Sequence, residues 1–109
     1  PRLVEKITSQ KYEDYLNTTF YKNIKNNSLG FNPSDYSNVV PTEQDNFFRN
    51  TLVHGSVHDE AASLFGGRSG NAGLFGSAQS IGELIKILET WDFNNSNTLL
   101  KKSTITKFT

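Results

Sequence analysis

The chain has no cysteine and no methionine, only three prolines, and no excess of either charge. Without cysteine there is no disulfide framework, no thiolate nucleophile and no cysteine-ligated metal. Such a composition fits a bacterial envelope protein and fits many cytosolic ones equally. The missing Met, at position 1 included, favours reading the 109 residues as a single internal segment of a longer protein. Eleven basic residues balance eleven acidic ones, and they are scattered. No basic stripe invites nucleic acid, and no acidic tail suggests a disordered arm. No apolar run approaches the roughly 18 residues of a membrane span, and no signal peptide begins the sequence. A chain of this length can bury roughly two-thirds of its unfolded surface, enough for a modest core.

What the sequence does have is concentrated between Val53 and Ala78, VHGSVHDEAASLFGGRSGNAGLFGSA, which holds both histidines and six of the eight glycines. Before it, Leu3, Val4, Ile7, Tyr15, Leu16 and Phe20 recur at mostly helical spacing. They predict an amphipathic helix, or two with a break at Thr8–Gln10, whose apolar stripe packs into a core. Residues 23–41 carry Asn26-Asn27-Ser28, Gly30, Asn32-Pro33-Ser34-Asp35 and Pro41, turn formers that read as a long irregular loop. Thr42–Leu52, with Phe47, Phe48 and Leu52 as anchors, is ambiguous. Residues 59–65 predict a short helix started by His58 or Asp59 and stopped by Gly66-Gly67. Ser77 is the expected N-cap of a longer helix with Ile81, Leu84, Ile85 and Leu88 on one face, ending near Trp91; Ser80 and Glu83 form an alternative capping pair. Asp92–Thr98 reads as a polar turn, and Ser103 as the cap of a last helix. The sum is a mainly α fold with long irregular loops.

Three chemistries suggest themselves in the central stretch. His54 and His58 stand four apart beside Asp59 and Glu60, but Gly55 interrupts a helix there and no third metal ligand follows. The reading is therefore no metal, with the histidines fixing the loop through its backbone. The glycines at 67, 70, 73 and 76 match neither G-x-G-x-x-G nor a Walker sequence, so no nucleotide or other cofactor is expected. They fit close packing or a pocket wall. No G-x-S-x-G is present to make a nucleophile of a serine.

His54-Gly55-Ser56-Val57-His58-Asp59-Glu60-Ala61-Ala62, then Gly66-Gly67-Arg68-Ser69-Gly70-Asn71-Ala72-Gly73-Leu74-Phe75 and Ser77-Ala78, resemble a characteristic block of serine hydrolases. These are the β-lactamase-related, penicillin-binding-protein-like enzymes of the class C type. Val40-Pro41-Thr42-Glu43 resembles the family's I-x-P-T-E, and Leu3–Thr8 its helix L-x-E-K-I-T. Ser103-Thr104-Ile105 and Lys107-Phe108-Thr109 resemble the close of its helical region. The resemblance implies the helical region of a β-lactamase/transpeptidase-like α/β fold, forming one wall of an active-site cleft. Pro41–Arg49 together with Val53–Asp59 further resembles the branch in which such a domain follows a family 3 glycoside hydrolase of the β-N-acetylglucosaminidase type. That branch implies a periplasmic or secreted enzyme acting on peptidoglycan or related glycans.

The same resemblance implies that the catalytic parts lie elsewhere. The family's nucleophile is the serine of S-x-x-K, supported by Y-x-N and a K/H-T-G strand. No serine here has Lys three residues on, and no K-T-G or H-T-G occurs. Tyr36-Ser37-Asn38 imitates Y-x-N, but the family's motif precedes the helix matched by Leu3–Thr8. Asn23-Ile24-Lys25-Asn26 stands where the family has P-L-G-M, and Asn71 where many members have His. The expectation is a segment with no catalytic residue of its own, with His58, Asp59 and Asn71 nearest the cleft wall. Its partners are the remainder of the hydrolase domain and a small-molecule, peptide or glycan substrate. The competing class is a non-catalytic helical module whose glycine-rich loop grips a peptide or glycan. That class predicts a complete core, whereas the hydrolase segment predicts uncovered apolar surface at Leu3, Val4, Ile81 and Leu88.

Overall fold

The computed structural model describes residues 1–89 and 101–108. Along them run α1 (Arg2–Thr8), α2 (Tyr12–Thr19), a 3-10 turn (Tyr21–Asn23), β1 (Gly30–Phe31), β2 (Glu43–Asp45), β3 (Thr51–Val53), α3 (Glu60–Leu64), β4 (Leu74–Phe75), α4 (Ala78–Glu89) and α5 (Lys102–Phe108). The Leu88 side chain, Trp91 and the expected Asp92–Thr98 turn lie outside the described residues.

The N-terminal apolar pattern divides into two helices because Ser9 turns left-handed, φ 57°, while its N–H still reaches the Glu5 carbonyl at 2.9 Å. The Glu5 carboxylate then accepts from the Tyr12 N–H at 3.0 Å. It gives the start of α2 an acceptor that the Lys11 side chain cannot supply. The α1 part of the stripe is not core. Leu3 is 70% exposed and Ile7 74% exposed, although α1 packs along α2 and Arg2 lies over the Phe65 ring.

The core gathers one turn later. Tyr21, Ile24 and Leu29 are buried, with Leu16, Phe20, Leu84 and Ile87 packed against them. This places α4 across the 3-10 turn and the loop after it. Serine hydroxyls fix the crossing. Ser77 caps α4, its Oγ accepting from the Ser80 N–H at 3.2 Å. Ser80, fully buried within the helix, accepts from the Ser28 N–H at 3.0 Å and stands 2.9 Å from the Ser28 hydroxyl. Ser80 is thus not a capping residue; it is the pin holding α4 to the 26–29 loop. Ser103 is likewise no cap. The helix starts at Lys102, with the Lys101 carbonyl accepting from the Thr104 N–H.

Two small antiparallel sheets interrupt what the sequence presents as loop. β1 pairs with β4 through Gly30–Phe75 and Phe31–Leu74, and β2 with β3 through Glu43–Val53, Gln44–Leu52 and Asp45–Thr51. Strands of two or three residues are too short to display a period of two, so no alternation announces them. The chain exposes 8222 Å², against about 6,100 Å² for a compact monomer of this mass. Apolar side chains on α1 and at Phe47, Leu64 and Phe65 are part of that exposed surface. Among the described residues, no helix is long and apolar enough to cross a membrane.

Candidate functional site

The β2–β3 hairpin is built around one carboxylate. Asp45, 5% exposed, accepts from the backbone N–H groups of Phe47, Phe48 and Arg49 at 2.9, 2.8 and 2.9 Å. The Arg49 Nε adds a fourth bond at 3.2 Å. The rest of that guanidinium reaches out of the hairpin: Nη1 donates to the Val57 carbonyl at 2.7 Å and Nη2 to the His58 carbonyl. Glu43, on the same strand as Asp45, lies 3.8 Å from Arg49 Nη2 and 3.0 Å from His58 Nδ1. The Thr42 hydroxyl donates to the Ser56 carbonyl at 3.0 Å. Residues 42–49 therefore staple the 53–58 segment in place, and Asp59 follows directly as N-cap of α3, accepting from the Ala62 N–H at 2.6 Å.

The N–H groups of Phe48 and Phe47, then that of Arg49 and its guanidinium charge, hold the Asp45 carboxyl at about 2, against burial that pushes it up. A carboxyl held below its ordinary range stabilises the fold fully above pH ~4, and that stabilisation is lost as pH falls toward the folded-state value. The expected result is a melting temperature that drops steeply between pH 4 and pH 2. Asp45→Asn is less stable at neutral pH and shows a flatter profile across that window. Parallel thermal melts of both proteins at stepped pH check this; equal slopes would exclude Asp45 as the titrating group.

His54 faces the other way. Its Nε2 lies 2.6 Å from the Val39 carbonyl oxygen, and its ring lies 5.5 Å from that of Tyr36. Gly55, at φ +68°, lies so close to the Tyr36 ring that a Cβ there would overlap it. Tyr36 thus packs against this turn. The two histidines have separate partners, and among the described residues no group of three or more His, Cys, Asp or Glu side chains is placed to hold a metal ion.

The glycine-rich loop begins where α3 stops. The Gly66 N–H reaches the Ser63 carbonyl and the Gly67 N–H the Ala62 carbonyl, a Schellman closure of the helix end. Asn32 Nδ2 donates to the Gly66 carbonyl at 2.9 Å, and the β1–β4 pairing holds the far end. Between these ties the loop stands off from α2 and leaves an open groove of about 360 Å³. It is lined by Tyr12, Leu16, Tyr21 and Phe31 on one side and residues 69–74 on the other. At its edge Arg68 pairs with Glu13 across the gap, Nε to Oε1 at 3.4 Å.

The three expected wall residues are thus divided. His58 is exposed beside Glu43, Asp59 caps α3, and Asn71 lines the groove, its Oδ1 accepting from the Ser69 hydroxyl at 2.5 Å. Neither His58 nor Asp59 lines that groove. The residues that do, Tyr12, Tyr21 and Phe31, come from three elements, and no spacing in the sequence links them. Ser28, Ser77 and Ser80 bond to one another and to nearby backbone.

No family model matches the chain, and no solved structure matches it. Among curated proteins it is similar to one from Salmonella agona named "Putative D-alanyl-D-alanine carboxypeptidase", 30% identical over an alignment covering 98% of this chain and 28% of that protein. A protein of the same name from Salmonella typhi is 29% identical over the same shares. The chain spans 28% of the length of these relatives. Similarity of this kind fits a penicillin-binding-protein-like serine hydrolase.

Proposed function

We propose that this chain is the helical wall of a penicillin-binding-protein-like serine hydrolase that cleaves a D-alanyl peptide of the cell envelope through a serine outside these 109 residues. The observation that carries the reading is the reach of the similarity, 98% of the chain, to proteins named as carboxypeptidases. Two features support it. The blocks that resemble the hydrolase family, residues 40–43 and 54–62, are physically one unit, joined by the Thr42–Ser56 bond and the Glu43–His58 pair. The outward apolar side of α1, with Leu3 and Ile7 exposed, suits a helix covered by another part of a larger domain. The helical binding module predicts a complete core, and this surface counts against it.

A serine nucleophile needs a base within hydrogen-bond reach and donors for the oxyanion. A lysine and a tyrosine supply the first in the family that the sequence resembles, and neither role is assigned to a residue of this chain. Two finer readings belong to the same proposal and rest on the sequence blocks alone. One is the class C type of active site. The other is a family 3 glycoside hydrolase domain in the same polypeptide, in a periplasmic or secreted enzyme. The test is to treat the full-length protein with a fluorescent β-lactam and map the adduct by peptide mass spectrometry. One acylated serine, followed three residues later by Lys and outside residues 1–109, is expected. An adduct on a serine within the chain, or no adduct at all, would overturn the proposal.

A further inference from the structure

The groove beside the glycine-rich loop has a chemistry that the hydrolase reading does not use. Its floor is aromatic: the Tyr12 and Phe31 rings, both half-buried, lie 5.8 Å apart and tilted by 48°. Its far wall, residues 69–74, is polar without charge at Ser69 and Asn71. Among the described residues, neither the Tyr12 nor the Tyr21 phenol has a hydrogen-bond partner. The Tyr21 ring is buried, yet no buried oxygen is left unsatisfied, so its hydroxyl reaches open space. Burial and then the neighbouring Tyr12 raise the pKa of Tyr21, so the Tyr21 phenol is a neutral donor and acceptor at physiological pH.

Charge decides between ligand classes. Among the described residues no lysine or arginine lines this groove, and Arg68 at its edge is already neutralised by Glu13. A peptide ending in a free carboxylate finds no counter-ion here, and burying it unpaired is costly. A neutral sugar ring needs none. Its C–H face can lie on aromatic rings while its hydroxyls exchange hydrogen bonds with phenols and an amide. The groove, at about 360 Å³, also falls in the range of small-molecule sites, roughly 300–1,000 Å³.

We propose that this groove is a saccharide subsite, taking one neutral sugar ring against Tyr12 and Phe31, with its hydroxyls on Tyr21 and Asn71. It holds a glycan independently of the peptide-bond chemistry, and it stands or falls without it. The test is calorimetric titration of the full-length protein with an N-acetylglucosamine tetramer and with cellotetraose, the two separating an amino-sugar source from a plain glucan. D-alanyl-D-alanine serves as the peptide arm. Saturable binding of either sugar is expected, weakened at least about tenfold by Tyr12→Leu, which keeps an apolar side chain, and about threefold by Asn71→Ala, an exposed position; these are of the order of stacking and single hydrogen-bond losses. Circular dichroism confirms that each variant folds. No saturable sugar binding, sugar binding unmoved by both substitutions, or a dipeptide whose affinity those substitutions reduce in place of the sugar's would overturn the proposal. β-Lactam acylation of the same samples reports the hydrolase separately, so failure of either reading is recognised by itself.

Discussion

Replacing Arg49 with alanine is expected to destabilise the protein by roughly 2–4 kcal/mol, the scale of two charge-assisted hydrogen bonds to backbone carbonyls with partial replacement by water. The guanidinium bonds to both the hairpin and the 53–58 segment, through the Val57 and His58 carbonyls on one side and Asp45 on the other. Removing it leaves two carbonyls to find water and Asp45 without its side-chain partner. Arg49→Lys is expected to recover little, because one ammonium cannot span acceptors that a planar fork reaches in three directions. Denaturant unfolding measures the loss. Hydrogen exchange locates it: amides from Val57 to Ala62 should exchange faster while those of α4 keep their protection. A change within about 0.5 kcal/mol, the range of ordinary surface substitutions, would show that the hairpin and the turn hold together without it.

That staple also marks the boundary of what the sequence makes legible. Helix α4 can be read directly, since Ser77 and the spacing of Ile81, Leu84 and Ile85 lie within one turn or two of each other. The Asp59 start and Gly66-Gly67 stop of α3 are local in the same way. Arg49 is different, because its partners are backbone carbonyls eight and nine residues away, and carbonyls carry no sequence signal. The groove is less legible still. Tyr12, Tyr21 and Phe31 belong to a helix, a 3-10 turn and a two-residue strand, and their convergence depends on the β1–β4 pairing, which no alternation announces. Leu3 and Ile7 show the converse: the period predicts the helix correctly, and it says nothing about what covers the apolar side. Ser80 looks like a capping residue and is instead a buried hydroxyl bonded to residues more than 50 positions earlier.

The every-third glycines show the same limit in a form that can be tested. Gly70 and Gly73 look equivalent in the sequence and differ sharply in the fold. Gly73 has φ +99°, and a Cβ there would overlap the Gly67 carbonyl oxygen. Gly70 has no positive φ and open space where a Cβ would stand. Gly73→Ala is therefore expected to cost about 1–3 kcal/mol for backbone strain alone. The overlap adds to that, because both ends of the loop are tied, one by the Asn32–Gly66 bond and the other by the β1–β4 pairing. The loop can relieve the clash only by moving into the groove or by giving up one of those ties. Gly70→Ala should leave stability unchanged or raise it by up to about 1 kcal/mol, through the lost freedom of the unfolded chain. Chemical denaturation of the two single variants, compared with the parent, reads both signs at once. If the two substitutions have the same effect, the loop is not held at Gly73 in the conformation described, and the groove wall it forms loses its physical basis.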